Sequence, residues 1–165
     1  MEKEKIQAIL KLKKEKNAVI LAHNYQNPEI QEIADFVGDS LELAKISKEL
    51  KENFVIFCGV FFMAETAHML APDKKVVLPI LGADCPMARM ISPQEVLDAK
   101  KKHPKAAVVT YVNSTAEVKA LSDICCTSSN AMRVVNSLPQ DQILFIPDAN
   151  LGQNIARMVA KEFFY

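Results

Sequence analysis

The chain alternates between amphipathic stretches and short apolar runs. Residues 1–16 carry Ile6, Ile9, Leu10 and Lys13 on one stripe, with lysines and glutamates elsewhere, which predicts a surface helix. Residues 18–22 are apolar without interruption, the pattern of a strand in a sheet covered on both faces. Similar runs predict strands over 54–59, 76–81, 106–112, 124–126 and 143–146. Between them, helices are predicted over 28–37, 40–51, 62–70, 93–102, 115–121, 131–138 and 150–161. Ser92-Pro93-Gln94-Glu95 spells a helix start, with Ser as N-cap, Pro first and Glu third. Strands alternating with helices predict an α/β fold with parallel sheets.

The order of elements repeats. The stretch from Ala18 to Tyr25 resembles that from Ala107 to Ser114. Phe57-Cys58-Gly59 then answers Cys125-Cys126-Thr127, and Leu78-Pro79 answers Ile146-Pro147. Two copies of a βαβαβ unit predict two small three-layer αβα domains, over residues 1–90 and 91–165. The first copy ends in a loop around Cys85, and the second stops just before an equivalent loop.

Chemistry gathers where the strands end. His23 with Tyr25, Cys85, Tyr111 with Asn113, and Thr127 with Ser128 follow apolar runs, and Ser40 opens a helix. Parallel strands place such ends on one side of a sheet. A thiolate at Cys85, stiffened by Pro86, can ligate a metal or attack an electrophile. The alternative is a small buried hydrophobe. Ser40 reads as an N-cap, compatible with carboxylate or phosphate binding at the same helix start. Cys58 reads as core, and His68 as a surface or packing residue. Histidine and tyrosine can move protons, while hydroxyl and amide donors can hold a carboxylate. No acidic pair, glycine-rich phosphate loop or Ser-His-Asp pattern competes.

Composition narrows the setting. Twenty basic residues balance twenty acidic ones in 165, which gives no reason to expect nucleic acid or an anionic membrane as partner. No apolar run approaches the roughly 20 residues that span a bilayer. The charged start Met1-Glu2-Lys3 has no apolar segment behind it, so no signal peptide is expected. The four cysteines, none spaced Cys-x-x-Cys, fit a reduced cytoplasmic setting.

Six ordered stretches resemble the quinolinate synthase family of de novo NAD biosynthesis. They are Leu21-Ala-His-Asn-Tyr-Gln26, Val37-Gly-Asp-Ser-Leu41, Phe57-Cys-Gly-Val60 with Met63-Ala-Glu65, Asp84-Cys-Pro-Met-Ala88, Tyr111-Val-Asn-Ser-Thr115 and Cys126-Thr-Ser-Ser-Asn130. The resemblance implies αβα domains arranged around a pseudo-threefold axis, with a [4Fe-4S] cluster in a central cleft and one cysteine ligand from each domain. It implies condensation of iminoaspartate, supplied by an aspartate oxidase, with dihydroxyacetone phosphate to give quinolinate. Cys85 matches the first cluster ligand. His23 and Ser40 match residues that hold the iminoaspartate carboxylates. Tyr111, Asn113 and Ser128 match further substrate contacts, and Tyr25 resembles the family's acid/base tyrosine, with His23 beside it for proton transfer.

The departures from the family pattern carry expectations of their own. The second cluster cysteine would fall beyond Tyr165, and the third domain is missing. Cys58, Cys125 and Cys126 match no cluster ligand, and adjacent Cys125 and Cys126 point to opposite faces of a strand. The resemblance therefore implies the first half of the enzyme: a truncated product, or one part of a split enzyme with a complementing carboxyl-terminal half. The alternative is a non-enzymatic, dicarboxylate-binding remnant. Phe163-Phe164-Tyr165 reads either as an exposed apolar face or as the scar of truncation.

Overall fold

The computed structural model describes residues 3–165. The chain divides into two compact units, Met1–Asp84 and Cys85–Tyr165. Each is an α/β unit around one all-parallel, four-stranded sheet.

The first unit runs α1 (Lys3–Glu15), β1 (Ala18–His23), α2 (Pro28–Ile33), β2 (Phe36–Gly38), α3 (Ser40–Glu49), β3 (Phe54–Cys58), α4 (Phe61–Leu70) and β4 (Lys75–Val77), with strand order β2-β1-β3-β4. The second runs α5 (Pro93–Lys102), β5 (Ala107–Tyr111), α6 (Ala116–Ala120), β6 (Ile124–Cys126), α7 (Ala131–Ser137), β7 (Gln142–Ile146), α8 (Ala149–Ala156) and β8 (Glu162–Phe164), with order β6-β5-β7-β8. In each unit the chain winds outward from a central strand in both directions. That topology leaves a switch point at the carboxyl edge of the central strands, where open α/β sheets place their ligands.

The predicted stripe on α1 is the side turned inward. Ile6, Ile9, Leu10 and Lys13 are half-buried while their neighbours are exposed. Lys13 belongs on that side because its amine bonds to Asp35 at 2.8 Å. The predicted helix start at Ser92 forms a capping box with Glu95.

The second unit shows how the layers are filled. Val109, Ile143 and Phe145 face Ala131, Val135 and Ile155 on one side of the sheet. Val108, Leu144 and Ile146 face Val96 and Val118 on the other. Neighbouring residues of one strand feed opposite faces, as the pleat requires, so an unbroken apolar run is what a doubly covered strand needs.

Several sequence expectations are corrected. The helix expected to reach Val37 stops at Ile33, and Phe36–Gly38 is an edge strand. Asp35 turns the chain there: its N–H donates to the Ile20 carbonyl and its carboxylate accepts the Ile20 N–H. The strand expected over 76–81 is only Lys75–Val77, and Ile80 and Leu81 are exposed. Pro79 has no N–H for a continuing ladder. The last helix ends at Ala156, and Phe163 and Phe164 lie on a strand against β7. They pack beside the two core clusters of the unit, so of the expected apolar face only Tyr165 is exposed.

The repeat is real but its register differs from the expected one. A constant offset takes Ile20 to Val108, Asp35 to Asp123 and β3 (Phe54–Cys58) to β7 (Gln142–Ile146). Phe57-Cys58-Gly59 therefore answers Phe145-Ile146-Pro147, and Cys125-Cys126 answers Val37-Gly38. The error came from overlooking β2, a strand too short to announce itself by periodicity.

The same clamp appears in both units. Asp123 donates its N–H to the Val108 carbonyl at 3.0 Å and accepts the Val108 N–H at 2.7 Å. Val108 is fully buried. Asp123→Ala removes the partner of a buried N–H, so it should lower unfolding stability by about 1–3 kcal/mol. Urea unfolding checks this, and Lys105→Ala, at an exposed turn, should stay within about 0.5 kcal/mol of the parent.

Candidate functional site

The polar residues singled out in the sequence stand at the carboxyl edges of the two sheets. In the first unit β1 ends at His23, paired in register with Gly38 of β2. The chain turns immediately, with Gln26 N–H donating to the His23 carbonyl. This brings Tyr25 back over His23, ring centroids 4.1 Å apart and planes tilted by 35°. The Tyr25 N–H lies 3.4 Å from His23 Nδ1 and donates to it. A ring nitrogen that accepts carries no proton, so in the neutral ring Nε2 holds the hydrogen. Burial pushes the His23 pKa below its ordinary value of 6.5, against the opposing pull of Asp39. His23 is therefore a neutral donor at its outer nitrogen near pH 7. The Tyr25 hydroxyl rests 3.9 Å from the Met63 sulfur.

Ser40 is not the N-cap of its helix, as expected, but its first residue. Asp39 caps α3 and accepts the N–H groups of Leu41 and Glu42 at 2.9 and 2.8 Å. Both Asp and Ser are good caps, and the carboxylate one position earlier takes the role. The Ser40 hydroxyl is not spent on capping.

In the second unit Tyr111 ends β5 and pairs with Cys126 of β6. Burial raises the pKa of its phenol, with Asp148, Cys126 and Cys85 adding to the rise and Ser128 opposing it. Asn113 donates its side-chain amide to the Cys85 sulfur at 3.7 Å. Cys85 is half-buried and precedes a short 3-10 turn, Pro86–Arg89, with its carbonyl accepting the Ala88 N–H. The same offset that relates the sheets takes His23 to Tyr111, Tyr25 to Asn113 and Ser40 to Ser128. The candidate residues are thus one set of three structural positions, filled twice with different chemistry.

The cysteines differ sharply. Cys126 is buried beside Tyr111, and burial, with Cys125 and Asp148 adding, pushes its thiol to about 12. Burial also raises Cys58. Neither is a ready thiolate. Cys125 is exposed on the opposite face of β6. Cys85 alone joins the polar cluster, with an N–H donor on its sulfur, which fits one thiolate ligand of a cluster. Among the described residues no group of three or more His, Cys, Asp or Glu is arranged to hold a metal ion. No described helix is long and apolar enough to cross a membrane.

Sequence reasoning left Asp39, Met63 and Asp148 without roles. Asp148 caps α8 by accepting the Leu151 N–H, and its charge reaches Tyr111. A cavity of about 640 Å³ opens at the other edge of the second sheet, lined by Lys105, Asp141 and Lys161 among others. The Lys161 amine there is tied to the Leu138 and Gln140 carbonyls, a structural role.

Comparison with known proteins settles the family. The Quinolinate synthetase A protein family profile matches residues 7–165. The chain belongs to this family. It is 58% identical over 154 residues to a protein of Methanoregula boonei named quinolinate synthase, which covers 93% of this chain and 51% of that protein. It is 62% identical over 145 residues to the quinolinate synthase of Methanothermobacter thermautotrophicus, covering 87% of this chain and 48% of that one. The Geobacter metallireducens quinolinate synthase is 54% identical over 159 residues, covering 96% and 52%. The chain spans about half the length of the curated relatives it matches.

Two measurements follow for this member of the quinolinate synthetase A family. His23 should give the nitrogen shifts of the neutral Nε2–H tautomer at pH 7 in heteronuclear NMR. Its folded pKa lies below 6.5. The unfolded chain takes up a proton first as pH falls, so stability should drop as pH is lowered from about 6.5 toward the folded value. His23→Gln should flatten that part of the profile. Under native alkylation read by mass spectrometry, Cys126 should stay unmodified while Cys125 reacts slowly, being exposed but with its thiol also raised by desolvation.

Proposed function

We propose that this chain serves quinolinate synthesis, in NAD biosynthesis, by condensing iminoaspartate from an aspartate oxidase with dihydroxyacetone phosphate. One phosphate and two waters leave as the pyridine ring forms. The observation that carries this reading is Cys85 with the Asn113 amide on its sulfur, in a family member whose other polar groups occupy repeat-equivalent positions.

Cys85 would supply one thiolate to a [4Fe-4S] cluster. That cluster, when bound, supplies a Lewis-acidic iron that polarises oxygen ligands and eases loss of water. The chain's own residues do the rest. His23, as a neutral Nε2–H donor, and the Ser40 hydroxyl bind the iminoaspartate carboxylates. Neutral donors suit a dianion because they orient it without a competing ion pair. Tyr111, Asn113 and Ser128 offer phenol, amide and hydroxyl donors to the remaining substrate oxygens. Tyr25 donates and recovers a proton at its phenol oxygen, with His23 tilted against the ring as its neighbour in proton transfer.

The test restores the length the chain does not span. Joined to the remaining half of the Methanoregula boonei relative, the chain should form quinolinate from the two substrates under anaerobic conditions, with about four irons per molecule. Cys85→Ser should lose both iron and activity. Tyr25→Phe should keep its iron and lose roughly 10²- to 10⁴-fold in rate. A chain that binds dicarboxylates equally with Cys85→Ser, and never yields quinolinate after joining, would instead be a dicarboxylate-binding module.

A further inference from the structure

We propose that Met63 is a positioning residue for Tyr25, its thioether sulfur receiving the phenol hydrogen and holding the ring over His23. The inference rests on the reading of Tyr25 as the acid/base group.

The geometry begins at Gly59, where β3 passes into α4. A methyl group there would lie 3.0 Å from the Met63 sulfur and 2.9 Å from the Phe57 ring. The missing side chain therefore leaves the sulfur its place. Met63, 4% exposed on the first turn of α4, carries that sulfur to 3.9 Å from Tyr25 Oη. Tyr25 in turn lies against His23, with centroids 4.1 Å apart. A line of contacts runs from glycine to sulfur to phenol to imidazole, all within one unit.

A methionine on a helix facing a sheet ordinarily just fills space. The repeat separates that role from the one proposed. The offset that takes Tyr25 to Asn113 takes Met63 to Leu151, which packs against the core of the second unit. The fold asks only for an apolar side chain at this position. The sulfur is an addition in the unit that carries a phenol, rather than the amide of Asn113, at this position.

Sulfur also suits the task. It is a weak acceptor, and sulfur–aromatic contact is mildly favourable. Tyr25 is half exposed, at 52%. A carboxylate acceptor would hold the phenol strongly and shift its acidity. A thioether docks it and releases it to substrate at small cost.

The experiment is NMR on the chain itself, with methyl-labelled methionine and labelled tyrosine. Met63→Leu keeps the volume and removes the sulfur. It should shift the Tyr25 ring resonances and weaken the Tyr25–His23 cross-peaks, with the second unit's resonances unchanged. Tyr25→Phe, an exposed change that spares the fold, should move the Met63 methyl resonance. In the double variant the second change should add nothing at His23. Tyr25 and His23 resonances that stay in place in Met63→Leu overturn the proposal, as does a Met63 methyl unmoved by Tyr25→Phe. These readouts need no proton transfer by Tyr25. A fully active Tyr25→Phe enzyme with the NMR changes intact would remove the acid/base reading and leave the positioning role.

Discussion

Each sheet depends on one aspartate that grips its central strand at two points. Asp35 closes N–H to carbonyl and carboxylate to N–H on Ile20, and Asp123 does the same on Val108. The pair of bonds fixes where the edge strand joins, because register slips by one residue would turn every side chain to the wrong face. In the first unit that register sets Gly38 beside His23, and in the second it sets Cys126 beside Tyr111. Two residues beyond each edge strand stand Ser40, the first residue of α3, and Ser128, in the turn before α7. A grip at the amino-terminal half of the strand thus decides the geometry at its carboxyl end.

Repetition explains why the functional positions come in equivalent sets. The tip of the central strand, the residue two beyond it and the residue two beyond the edge strand are where this topology places side chains without disturbing the core. One unit fills them with His23, Tyr25 and Ser40, the other with Tyr111, Asn113 and Ser128. The positions are a property of the fold, and the chemistry is free to differ. Where the two copies differ in ways the core does not require, as at Met63 and Leu151 or Val60 and Asp148, function is the place to look for the reason.

The environments also sort residues of one type into different roles. Burial keeps the Cys126 and Cys58 thiols protonated. Cys85 is half-buried, on a loop, with an amide donor on its sulfur. His23 is kept neutral by partial burial and has its tautomer set by a backbone N–H two residues away. No separate device is needed for any of these, since each follows from where the strand ends.

The sequence by itself determined the α/β class, the parallel sheets, most elements and the set of polar strand tips. These are written in local patterns: unbroken apolar runs, a stripe on α1, the Ser92 cap. Its motifs also carried the family resemblance that comparison bears out. Only the tertiary structure decided the short edge strands, the register of the repeat and the cap of α3. Phe36–Gly38 and Glu162–Phe164 are too short for periodicity to show, and they exist because a neighbouring strand offers hydrogen bonds. Likewise Asp39 displaces Ser40 as cap, and the Asn113 amide finds the Cys85 sulfur, through contacts that no spacing along the chain encodes.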